Sequence, residues 1–199
     1  MTTTSLQPSF APRLVFALFA WVALATVAAA SGLISFERPW FVPLTLLGTT
    51  TALVAAYTRS EPFRALLDRV DLRLLVGWHV VRAPIGASFL VLASRGELPE
   101  LFASRAGWGD LAAGLGALLV LPMLTRVHER TPRRLALLWN LFALADILLV
   151  VATAQYLFLI VHDPLMARLG SLPFGLLPTF VVPLVITTHL LVFRRLRAA

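Results

Sequence analysis

Few residues in this 199-residue chain can do chemistry, because 59% are hydrophobic and only 14% are charged. Five polar side chains interrupt long apolar runs: His79, Arg82, Asn140, Asp146 and His189. An unpaired charge near the centre of a bilayer costs about 2.5–3.5 kcal/mol even on lenient insertion scales, so Arg82 and Asp146 each need a partner. His79 and Arg82 are three apart and share a helix face. Arg82 and Asp146 lie roughly 15 Å from the same end of their helices at 1.5 Å rise per residue. The spacing predicts a buried Arg82–Asp146 ion pair flanked by His79, Asn140 and His189. Such a pair either specifies which helices adjoin or binds or passes a small polar ligand or protons.

Other constellations are sparser. His79 and His189 occupy similar depths on different helices, a placement that predicts haem b ligation from both faces of the iron as an alternative. Asp110 follows Gly107-Trp108-Gly109 and reads as the N-terminal cap of a span, or as a residue of the outer mouth. His128 and His162 sit in loops without ligand-like spacing. The chain has no cysteine, which removes disulfides, thiolate metal sites and cysteine nucleophiles. It also lacks a Gly-rich phosphate cradle, a His-Glu-x-x-His pattern and a Ser-His-Asp set, so no residue is assigned a catalytic role.

The elements that must position these groups are apolar helices. Mean hydropathy is +0.85, far above that of a water-soluble domain, and the expectation is an all-α integral membrane protein with the lipid bilayer as its partner. Six runs reach spanning length: Leu14 to Ser35, Trp40 to Tyr57, Leu72 to Ala93, Asp110 to Thr125, Leu135 to Val161 and Leu172 to Phe193. They form a single transmembrane domain over residues 1–199, without internal repeats. The first run follows a polar leader whose one charge is Arg13. A signal peptide has an apolar core of only about 7–15 residues, so an uncleaved span is the better reading.

The net charge of +7 comes from 17 arginines against 10 acids, with no lysine. They cluster in short loops between apolar runs, where they set orientation rather than bind nucleic acid. One sits in the leader, four between the second and third spans, four between the fourth and fifth, and three at the end. The opposite loops hold only Arg38, Arg95, Arg105 and Arg168. The positive-inside rule therefore places both termini in the cytoplasm, in agreement with an even number of spans. Glu61 to Asp71 reads as a short interfacial helix, and Leu98 to Arg105 as a turn or two at the outer surface. Pro84, Pro178 and Pro183 free the carbonyls of Val80, Phe174 and Thr179, bending the third and sixth spans beside the polar residues. In the fourth span Gly109, Ala112, Ala113, Gly114, Gly116 and Ala117 permit close helix contact.

Several stretches carry a family resemblance: Arg82 to Gly96, Leu98-Pro99 followed by Phe102-Ala103, Ala106 to Asp110, Trp139-Asn140-Leu141-Phe142 with Asp146, and Pro178 to His189. Over the C-terminal two-thirds the chain resembles a family of uncharacterised bacterial multi-span membrane proteins. That resemblance implies a location in the bacterial inner membrane and a matching polar set of Arg82, Asp110, Asn140, Asp146 and His189. Members often carry glutamine where this chain has His79, and the family implies no activity. Three readings therefore stand: a polar centre for a small ligand or protons, a b-type haem protein, and a structural or partner-binding protein.

Overall fold

The computed structural model describes residues 10–198, which are overwhelmingly helical. Helix α1 covers Phe10–Ala30 and α2 covers Phe41–Arg59. Two short helices follow, α3 (Glu61–Leu67) and α4 (Leu72–Gly77). A 3-10 turn, Trp78–Val81, leads into α5 (Arg82–Ser94). Then come α6 (Glu100–Val120) with a 3-10 extension over Leu121–Arg126, and α7 (Arg130–Gln155) with a π-helical extension over Tyr156–Val161. A 3-10 segment, Pro164–Gly170, and a π turn, Leu177–Val181, precede α8 (Val182–Ala198).

Among the described residues, five helical segments are long and apolar enough to cross a membrane: Phe41–Arg59, Leu72–Ser94, Glu100–Arg126, Arg130–Val161 and Leu177–Ala198. The chain is thus an all-α protein of membrane-spanning character. In α1 the apolar stretch Val15–Ala30 is shorter. It docks on the bundle through Trp21, whose Nε1 donates to the Thr179 carbonyl at 3.0 Å and whose ring meets Phe180 edge-on. The first nine residues of the polar leader lie outside the described residues. Large apolar side chains such as Phe16, Phe19, Leu44, Leu119 and Leu138 face outward, as a bundle immersed in hydrocarbon requires.

The fourth span departs from expectation. Its helix starts at Glu100, ten residues before Asp110, with Pro99 at the N-cap and the Pro99 carbonyl accepting from the Ala103 amide. Leu98 to Arg105 is therefore the entry and first turns of the span rather than a separate surface turn. Arg105 is not a loop arginine either: its Nη1 donates to the Thr153 hydroxyl of α7 at 3.1 Å. The last span starts at Leu177 rather than Leu172, because the preceding residues are taken up by the 3-10 segment and a turn.

Helix α6 is the spine, packed against α5 on one side and α7 on the other. Its buried face is built of small residues, among them Ala103, Ala106, Gly107, Ala113, Gly114 and Ala117. Apolar surface gains nothing by leaving lipid, so helices in a membrane associate through close packing and hydrogen bonds, and small residues allow it. A Cβ built on Gly86 would lie 2.5 Å from the Gly107 carbonyl oxygen and 2.9 Å from the Leu111 nitrogen. Both are backbone atoms of α6 and cannot step aside. At Gly48 of α2 nothing lies within 4 Å.

Gly86→Ala is therefore expected to destabilise the bundle by about 2 kcal/mol through overpacking, whereas Gly48→Ala should stabilise it by up to about 1 kcal/mol through helix propensity. Reversible unfolding in mixed micelles measures both, and equal effects would refute the α5–α6 contact.

Candidate functional site

Pro84 has no amide hydrogen to offer the Val80 carbonyl, and the chain tightens into the 3-10 turn Trp78–Val81 just before α5. That turn carries His79, and Arg82 begins the helix beyond it, so both project into the bundle and are buried. Asp110 comes from α6, Asn140 and Asp146 from α7, and His189 from α8. Four segments thus converge on one buried polar centre.

Arg82 is its hub. Nε donates to Asp110 Oδ1 at 2.6 Å, and Nη2 donates to Asp146 Oδ2 at 2.5 Å. Nη1 donates to the Ala143 carbonyl at 2.9 Å and faces His189 Nε2 at 3.3 Å. Ala143, fully buried, is small enough to let the guanidinium reach the backbone of α7. The side chains of Arg82, Asp110 and Asp146 are 2%, 6% and 9% exposed, so Asp146 is nearest the periphery. Gly109 makes room for it: a Cβ there would overlap the Asp146 carboxylate outright.

A second arm runs through the histidines. Asn140 Nδ2 donates to the His189 carbonyl at 3.1 Å, which orients the amide so that its Oδ1 accepts from His189 Nδ1 at 2.8 Å. With Nδ1 carrying the hydrogen, Nε2 presents a lone pair to the Arg82 Nη1 donor, and the network assigns His189 the neutral Nδ1–H tautomer. His79 stacks on His189 with ring centroids 3.9 Å apart, and its Nε2 meets the Thr188 hydroxyl at 3.3 Å. His79 Nδ1 is buried without a partner. Trp139 walls the stack edge-on to His79, held by its Nε1 donating to the Ala113 carbonyl at 2.9 Å. Gly116 leaves space for that indole.

Two sequence expectations are corrected by this geometry. Asp110 is neither a helix cap nor a residue of the outer mouth, because it sits in the eleventh position of α6, about 15 Å along the helix, with Arg82 as its partner. His79 and His189 do not flank a haem b: rings in direct stacking contact leave no gap for a macrocycle, and both nitrogens of His189 are engaged. Asn140 and Asp146 point to different spots, yet His189 and Arg82 join them into one network. Thr188 and Trp139 complete the centre, although sequence spacing marked neither as a site residue.

Breaking this network by Arg82→Leu leaves two carboxylates facing each other in a dry interior and should cost about 3–5 kcal/mol. Asn140→Ala should cost about 1–3 kcal/mol and leave the His189 Nδ1–H without its acceptor, shifting the Nδ1 nitrogen resonance while Arg82 still faces the Nε2 lone pair. An unchanged Nδ1 resonance would overturn the assigned role of Asn140.

No curated protein and no solved structure matches the chain. A family model described as a domain of unknown function (DUF8737) matches residues 39–197, which takes in α2 to α8 and every member of the polar centre, and the chain belongs to that family.

Proposed function

We propose that the protein is a six-span bundle of the bacterial cytoplasmic membrane, with both termini in the cytoplasm, whose polar centre takes up and passes protons. The observation that carries this reading is a mismatch in charge. Two carboxylates, Asp110 and Asp146, are bound to one guanidinium, Arg82. With both ionised the trio holds one negative charge too many for a low-dielectric interior, and a proton on one carboxyl removes it.

Asp146 is the better carrier of that proton. It is the least buried of the three, and its neighbours along α7 and α6, Phe142, Leu149 and Trp108, face outward. Asp110 stays fixed between α5 and α6. A proton arriving on Asp146 neutralises the carboxylate that Arg82 Nη2 holds, weakening one of the arms that tie α5 to α7, while the Asp110 arm keeps the guanidinium in place. Beyond Arg82, the unpartnered Nδ1 of His79, whose ring stacks on His189, offers a further acceptor.

Proton flux into proteoliposomes loaded with a pH-sensitive dye tests the proposal. Asp146→Asn is expected to lower the rate at least tenfold. Dicyclohexylcarbodiimide, which reacts with protonated carboxyl groups in apolar surroundings, should modify the wild-type chain at Asp146, faster as pH falls, and leave Asp146→Asn unmodified. Wild-type flux no greater than that of protein-free vesicles, together with absent labelling, would show that the trio serves only to pack helices.

A further inference from the structure

A second stripe on α7 plays no part in the proton centre. Ile147, Val150, Val151, Ala154, Gln155 and Phe158 recur at helical spacing on one face, and together they line a cavity of about 100 Å³. Its other walls include α2, α5, α6 and α8 together with the Pro164–Gly170 segment and the Leu177–Val181 turn, with Leu46, Phe89, Phe102, Met166 and Val185 among them. Helix α2 leans on α8 and the Leu177–Val181 turn rather than on α7, so the space between α2 and α7 is left to the cavity. Arg82 and Asp110 close one end. Gln155 lies nine residues beyond Asp146, about 13 Å farther along α7, so the chamber is elongated.

Its polar needs are uneven. Arg82 and Asp110 satisfy each other at 2.6 Å. Gln155 lines the cavity, and its Oε1 is buried with no hydrogen-bond partner. An orphaned buried acceptor is costly, and a ligand that donates one hydrogen bond removes the cost. A charged headgroup finds no free counter-charge here, because every nitrogen of Arg82 is engaged, and burying such a group unpaired is prohibitive.

We propose that this cavity binds an uncharged, lipid-soluble molecule consisting of a single hydrocarbon chain that ends in a hydroxyl or an amide N–H donating to Gln155 Oε1. The chain lies along the apolar stripe between α2 and α7 and enters from the surrounding lipid. The site shares Arg82 and Asp110 with the proton centre but is tested apart from that reading: Asp146 does not line it, and Asp146→Asn leaves the Gln155 wall untouched.

The test uses the full chain in phosphatidylcholine nanodiscs, with the melting temperature titrated against 1-hexanol, hexane, hexyl methyl ether and hexanoate, whose chains suit a cavity of this volume. Hexanol should bind roughly tenfold more tightly than hexane or the ether, the equivalent of one hydrogen bond. In Gln155→Met, which keeps the side-chain length, that preference should vanish while hexane binding persists. Val151→Trp, which fills the chamber, should abolish saturable binding of the uncharged three and so separates site binding from general effects on the bilayer. Circular dichroism of each variant checks that the helices are retained, and Ala154→Phe replaces Val151→Trp if that variant fails to fold. Equal binding of hexanol and hexane to wild type would overturn the role of Gln155. Tightest binding of hexanoate would overturn the uncharged class, and a shift that persists in the filled variant would overturn the site.

Discussion

A single guanidinium, fixed in three directions, organises the interior of this protein. The planar fork of Arg82 reaches α6 through Nε, α7 through Nη2 and the Ala143 carbonyl, and α8 through His189. A lysine ammonium is a compact point charge on a flexible stem and holds no such divergent geometry. In the dry centre of a bundle, polar groups that miss their partners have no water to turn to. Each helix is thereby bound to the positions of the others, and register errors between α5, α6 and α7 are penalised far more by this hub than by apolar contacts alone.

The hub works only because the helices come unusually close, and that closeness is encoded by missing side chains. Gly86 and Gly107 let α5 and α6 meet backbone to backbone, Gly109 vacates the volume that the Asp146 carboxylate fills, and Gly116 admits Trp139. At Gly86 a methyl group would collide with the backbone of α6, and at Gly107, Gly109 and Gly116 with the packed side chains of Leu90, Asp146 and Trp139, so their value is spatial and owes nothing to backbone flexibility. In water such a run would weaken a helix by about 1 kcal/mol per glycine. In lipid the backbone must stay hydrogen-bonded within its own helix, and α6 runs unbroken through it.

This last point explains what could and could not be read from the sequence. Helical rise is nearly invariant, so depth arithmetic brings Arg82 and Asp146 to one level, and the structure joins them at 2.5 Å. Asp110 was misplaced because Gly107-Trp108-Gly109 looks like a loop by aqueous propensity. The signal that finds it is Pro99-Glu100, a helix start ten residues earlier. The prolines were informative, since the 3-10 turn before Pro84 and the π turn around Pro178 fall where carbonyls were expected to be freed. The stacking of His79 on His189 was beyond reach, because ring orientation depends on side-chain rotamers and on the Asn140 amide rather than on spacing. Gln155 was equally silent: it ends α7, where a polar side chain ordinarily meets water or headgroups.

The two ends of the bundle are built differently, and the difference bears on how the centre works. At the arginine-rich end, Arg195 donates to the carbonyls of Leu67, Asp68 and Val70, while Arg194 donates to the Tyr57 hydroxyl, which in turn donates to Asp68. The C-terminal arginines thus fasten the turn after α3 to α8. The other end is looser, with the cavity, the π-helical extension of α7 and the 3-10 segment gathered there. Arg82 stands at the boundary between them. The Asp146 arm therefore stands between a braced lattice on one side and an apolar chamber on the other, where few polar contacts tie side chains in place.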